Sequence, residues 1–164
     1  MFLSNYNFFG NTIDLKEKKW YDYSGDFVTY LGLDLGTKTL GISKSNGVIA
    51  TNYQTLRHDN DYDYLIAELG KIISTLKIDK IILGYPKNMN NTESNMTHIV
   101  LEFKEKLEKK YNIEVVLEDE RLTSKISNNV LISGDMSRKK RKNVVDGVAS
   151  VVISQSYLDR NNRK

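Results

Sequence analysis

At 164 residues, with 40% hydrophobic and 27% charged residues, the chain has the size and balance of one soluble globular domain, which excludes a second catalytic lobe and disorder throughout. A net charge of +3, from 24 Lys and Arg against 21 Asp and Glu, makes the placement of charge more telling than its sum. Cysteine is absent, which removes disulfides, Cys-ligated zinc, iron–sulfur clusters and thiol catalysis, and the two histidines, His58 and His98, stand far apart as surface residues. Catalysis therefore has to rest on carboxylates. No apolar run approaches the roughly 20 residues of a membrane span, and no basic segment followed by an apolar one opens the chain, so a cytoplasmic protein without a membrane partner is expected.

Residues 1–29 carry scattered aromatics (Phe8, Phe9, Trp20, Tyr21) and the charged patch Asp14 to Lys19, with no sustained period of two or 3.6. They read as a loosely ordered N-terminal extension, whose aromatics could dock on the domain that spans 30–164. From Tyr30 the runs YLGLDLG, TLGISKS and VIATNYQTL predict three antiparallel strands, with Asn46-Gly47 as a two-residue hairpin turn. Tyr62, Leu65, Ile66, Leu69, Ile72, Ile73 and Leu76 recur at helical spacing and feed a short buried strand, Lys80 to Gly84, stopped by Tyr85-Pro86. Met96 to Tyr111 predicts a second helix, and Ile113 to Leu117 a further strand paired in parallel. Leu122, Ile126 and Val130 mark a third helix ending near Gly134, and Val144, Val148, Val151, Val152 and Leu158 a fourth. The order βββαβαβαα is an α/β mixed sheet, three antiparallel strands and then parallel ones, flanked by helices.

Three acids stand at element ends. Asp34 lies in the apolar run Leu33-Asp34-Leu35, where an unpaired carboxylate is costly; the structural alternative is a strand-end acid bonded to the Gly36-Thr37 turn. Glu118-Asp119-Glu120-Arg121 follows an apolar strand, and alternation puts Glu118 and Glu120 on one face and Asp119 on the other; the alternative is acids favoured at a helix start. Asp146 lies beside Ala149, Ser150 and Ile153 on a helical wheel, a small and apolar face that would pack on the sheet; the alternative is capping, since it follows Asn143 by three residues. Converging carboxylates without His or Cys suit Mg2+ or Mn2+. Two such ions about 3.5–4 Å apart activate a water and stabilise the leaving oxygen in phosphodiester hydrolysis. Arg138, Lys139, Lys140, Arg141 and Lys142 lead directly into Asp146, where they would draw in a phosphate backbone or form a solvated patch.

The segments LGLDLGTKTLGIS, ILGYPKNMNNTES, EDERLTS and RKKRKNVVDGVASVVISQSYLD, in this order between Tyr30 and Asp159, resemble the YqgF/RuvX family of pre-16S ribosomal RNA nucleases and Holliday junction resolvase-like proteins. The resemblance implies an RNase H-like fold and a divalent-metal nuclease whose catalytic, metal-holding acids map onto Asp34, Glu120 and Asp146. Asn46, Asn90-Asn91, Ser127 and Ser150 depart from the family pattern without removing a ligand, and residues before Tyr30 have no counterpart in it.

The leading expectation is an endonuclease trimming the 5′ end of the 16S ribosomal RNA precursor, with ribosomal precursor particles as partners and Lys38, Arg121 and Arg138 to Lys142 positioning phosphates. A junction-resolving DNA nuclease is the second reading. The third is a nucleic-acid-binding factor that does not cleave, which the three acids oppose because a pure binder gains nothing from carboxylates facing phosphate. No dimerisation stripe is visible, so a monomer or weak homodimer is expected.

Overall fold

A computed structural model describes the backbone of residues 5–8, 11–14, 19–21, 28–86, 95–119 and 138–162, with side chains for 28–86, 95–119 and 147–162. Ahead of Tyr30, where periodicity predicts no element, stand three short strands, β1 (Asn5–Phe8), β2 (Asn11–Asp14) and β3 (Lys19–Tyr21), forming an antiparallel sheet in the order β1-β2-β3. The main sheet contains β4 (Tyr30–Leu35), β5 (Thr39–Ser45), β6 (Ala50–Arg57), β7 (Lys80–Tyr85) and β8 (Glu114–Asp119). Their order is β6-β5-β4-β7-β8, antiparallel on the β6-β5-β4 side and parallel across β4-β7-β8. The helices among the described residues are α1 (Tyr62–Leu76), α2 (Asn95–Tyr111) and α3 (Arg138–Asn162). The predicted helix over Leu122 to Gly134 and the turn at 87–91 lie outside the described residues.

The two faces of the sheet are built differently. On one, Leu31, Leu33 and Leu35 of β4 share a core with Leu65 and Leu69 of α1, Val100, Phe103 and Leu107 of α2, and Ile81 and Leu83 of β7. This is the alternation and helical stripe of the sequence realised directly. Asp61 caps α1, its Oδ1 accepting from the Tyr64 amide at 2.9 Å.

The other face carries α3, and small polar residues bring the helix close. A Cβ on Gly32 would lie 1.7 Å from Ser154 Oγ and 2.3 Å from Ser43 Oγ. Ser43 Oγ donates to the Ser150 carbonyl at 2.9 Å, so the 2.8 Å contact between the Ser43 and Ser154 hydroxyls takes its proton from Ser154. Ser150, one of the departures from the family pattern, is fully buried, and its hydroxyl is satisfied by the Gly147 carbonyl at 3.0 Å.

Two local expectations are corrected. The predicted two-residue turn is a four-residue connection, residues 46–49, closed by the pair Ser45↔Ala50 with Gly47 at φ 90°. Its backbone groups are taken up by α3: Gln155 Nε2 donates to the Val48 carbonyl at 3.1 Å, Gln155 Oε1 accepts from the Ala50 amide at 3.0 Å, and Asn162 donates to the Gly47 carbonyl at 3.2 Å. The fourth helix begins at Arg138, five residues before Asn143. Asn143 is therefore interior to α3 and not its cap, because the Arg and Lys run is itself good helix-forming sequence.

Candidate functional site

The parallel strands β4, β7 and β8 end at one edge of the sheet, the usual place for sites in open α/β folds. Asp34, one residue from the end of β4, is half-buried and pairs in the ladder with Gly41 of β5. Since Leu33 and Leu35 belong to the α1/α2 core and Gly32 meets α3, strand alternation puts Asp34 on the α3 face. The Gly36 amide, one donor the strand-end reading offers Asp34, goes to the Thr39 carbonyl at 2.8 Å.

At the end of β8, Asp119 is half-buried and shares the parity of Val115 and Leu117, on the face opposite Asp34. Glu118 is on the α3 face and 2% exposed, with Arg160 forking onto it: Nη1 to Oε1 is 3.0 Å and Nη2 to Oε2 is 2.7 Å. Ser156 Oγ also donates to Oε1 at 3.1 Å. A carboxylate so held is a fastening between β8 and the C-terminal half of α3. The sequence offers no signal for this pair, whose members are 42 residues apart.

Glu120 and Arg121 lie outside the described residues. Asp146 and Arg138 to Lys142 are described as α3 backbone, the cations occupying the first turns and Asp146 one turn before Ser150. Lys38 is exposed in the turn between β4 and β5, beside a recess of about 430 Å3 that Arg57, His58, Asp61 and Tyr64 also line.

His58 corrects the reading of it as a surface residue: it is 6% exposed. Its amide donates to the Lys38 carbonyl at 3.0 Å, and its Nε2, 3.2 Å from the Gly36 carbonyl, must carry the proton, so the ring braces the turn that presents Lys38. Tyr62 lies against it, with ring centroids 5.3 Å apart. His98 is exposed, as expected.

None of the described acids forms a three-residue metal cluster among the described residues, two of the three expected ligands having side chains outside them. The donor set itself is oxygen-only, which suits a hard divalent cation. No helix among the described residues is long and apolar enough to cross a membrane.

A family model described as "RuvX: Holliday junction resolvase" matches residues 28–160. A Bacillus subtilis (strain 168) protein named "Putative pre-16S rRNA nuclease" is 46% identical over 132 residues, covering 79% of this chain and 96% of the relative. A Geobacillus kaustophilus (strain HTA426) protein of the same name is 44% identical over 132 residues with the same coverage. Thermus thermophilus RuvC in complex with a Holliday junction substrate superposes with a TM-score of 0.55 at 9% identity, over 82% of this chain and 96% of that one, a likeness of fold alone. The mixed sheet with its flanking helices is thus RNase H-like, and with a family match running from β4 to the end of α3 the chain belongs to the RuvX family.

Proposed function

We propose that this chain is a divalent-metal-dependent endonuclease of the cytoplasm that hydrolyses phosphodiester bonds in the 16S ribosomal RNA precursor, with Asp34, Glu120 and Asp146 as its metal ligands. The observation that carries the site is the alignment of α3 along β4. Tyr157 meets Tyr30 at a centroid distance of 6.0 Å, and Ser150 and Ser154 meet Gly32, so the helix runs antiparallel to the strand. Followed toward its N-terminus, α3 thus runs in the direction of the end of β4 where Asp34 stands, which supports Asp146 as a ligand on the same side. Asn143 being interior to α3 removes the capping role that would otherwise account for Asp146. The parity of Asp119, on the face opposite Asp34, favours Glu120 over Asp119 as the third ligand.

In this reading the three carboxylates hold two Mg2+ or Mn2+ ions, which when bound activate a water and stabilise the leaving oxygen. The remaining residues bind. Five cations at the start of α3 sit at the positive end of the helix macrodipole, a placement unfavourable by about 0.3–1 kcal/mol for each in the first turn. A polyanion offsets that cost. Arg138, Lys139, Lys140, Arg141 and Lys142, with Lys38 and Arg121, then hold backbone phosphates on either side of the scissile bond. The name that the relatives carry supports RNA as the substrate.

The catalytic domain spans 30–164, and removing residues 1–28 is expected to leave it folded. The function is tested by incubating the full chain with structured precursor RNA and with four-way DNA junctions, under Mg2+, Mn2+ or EDTA. RNA cleavage that EDTA abolishes is the expected result; cleavage of junctions alone would move the substrate to DNA, and binding without cleavage of either would leave the non-cleaving factor.

A further inference from the structure

We propose that the apolar groove beside the 46–49 loop is the docking site for the chain's own N-terminal sheet, which lays the face carrying Tyr6, Phe8, Ile13 and Trp20 against Val48, Ile49 and Leu76. The groove encloses about 580 Å3 at the end of the main sheet remote from Asp34, and Thr29, Lys44 and Thr51 also line it. Ile49 is 62% exposed, well above Tyr64 at 43%, the other exposed large hydrophobic residue among those described.

The small sheet has the matching need. Its register places Tyr6, Ile13 and Trp20 in one row across the three strands, and Phe8 falls on the same face two residues along β1. Asn5, Asn7, Thr12, Asp14, Lys19 and Tyr21 make the opposite, mainly polar face, and Asn11, the partner of Phe8, is the one polar residue on the first. Three strands of three or four residues are too short to stand alone in water, so the apolar face requires a packing partner. The first 28 residues hold eight of the chain's sixteen aromatic residues, which an extension exposed to solvent would not tolerate.

Connectivity selects the partner. The extension enters the domain at Thr29, on the rim of the groove, where the Thr29 amide donates to Asp79 Oδ2 at 2.6 Å and its carbonyl accepts from the Asp79 amide at 2.9 Å. Tyr21 to Thr29 is a tether that reaches up to roughly 27 Å. Such a tether sets an effective concentration in the millimolar range, so the chain's own sheet competes well against a second copy. The family match begins at residue 28, so the docked sheet is an addition of this chain and independent of the nuclease reading.

Trp20 is the only tryptophan, so its emission reports docking without a label. The full chain is expected to emit to the blue of its denatured form at every protein concentration. Ile49→Glu, or Thr51→Glu as a second groove variant at an exposed position, is expected to keep the cooperative melt. Each should shift Trp20 emission to the denatured position and raise acrylamide quenching about threefold. Unchanged emission in both variants, or a wild-type emission already at the denatured position, overturns the proposal. A wild-type emission that moves to the red on dilution overturns it in favour of docking on a second copy.

Discussion

The two faces of the main sheet do different work. The α1/α2 face is filled by Leu, Ile, Val and Phe and is stabilised by the area it removes from water. The α3 face is fastened by Gly32, three serines and the Glu118–Arg160 pair, with Ile82 and Ile153 among its buried apolar residues. Apolar packing tolerates small slips, whereas hydroxyl contacts at 2.8–2.9 Å and a forked ion pair hold one position. Asp34 belongs to the second face and α3 carries Asp146, so stability and precision of placement are divided between the two sides of one sheet.

The largest expected effect tests the α3 face as the reacting one. Asp34→Asn, Glu120→Gln and Asp146→Asn should each abolish hydrolysis while leaving the thermal melt unchanged or slightly raised, because relief of acid crowding does not cost the metal-free fold. Activity and melting are measured side by side; full rates in Glu120→Gln with loss in Asp119→Asn would transfer the ligand to Asp119.

Substitutions on the two faces should then separate. Phe103→Ala on the apolar face is expected to cost about 3–5 kcal/mol by denaturant unfolding, yet the fraction still folded should cleave normally. Gly32→Ala on the α3 face is expected to cost about 1–3 kcal/mol by overpacking, since the Ser150 carbonyl 3.1 Å from the added Cβ is backbone and cannot swing aside. Here specific activity should fall more than stability, as α3 is displaced, and adding Ser154→Gly should restore part of both. Equal losses of activity in the two variants would erase the distinction.

Arg160→Ala sharpens it further. It leaves the buried Glu118 carboxylate with Ser156 and is expected to cost about 1–2 kcal/mol, discounted because the guanidinium is half exposed. Glu118→Gln combined with Arg160→Met should recover most of that loss in a melt.

The basic start of α3 should act on binding alone. Replacing Lys139, Lys140 and Arg141 by Gln is expected to flatten the slope of log K against log salt by about two to three units, with little change in single-turnover cleavage at saturating substrate. An unchanged slope would assign the run to solvent.

The smallest effect belongs to the apolar side. Hydrogen bonding from Lys104 lowers the Glu108 pKa below its ordinary 4.5, against desolvation, and the Val115 amide adds to the lowering. A depressed folded pKa gives stability that is full above about pH 4.5 and lost as pH falls through the folded value. Melts followed from pH 7 into this acid range should show a decline that Glu108→Gln reduces.

The apolar face was almost wholly legible in the sequence. Leu31, Leu33 and Leu35 alternate, Leu65, Ile66, Leu69 and Ile72 recur at helical spacing, and both periods are local properties of the chain. The same alternation separated Glu118 from Asp119, though which of the two faces α3 covers came only from the packing. What misled was also local: Asn143 looked like a cap and Asn46-Gly47 like a complete turn. In each case the decisive partner lay elsewhere, in the helix-forming cations before Asn143 and in Gln155 and Asn162 of α3.

By itself the sequence determined the element order from β4 to β8, the mixed sheet, the family and the oxygen-only set of acids, because periodicity and motif order are carried by residues near one another in the chain. Only the tertiary structure decided that Gly32 is the seat of α3, that Glu118 is fastened by Arg160 and that buried His58 braces the Lys38 turn. Those are contacts between residues 20 or more positions apart, fixed by the close packing of helix on sheet, and no local pattern encodes them.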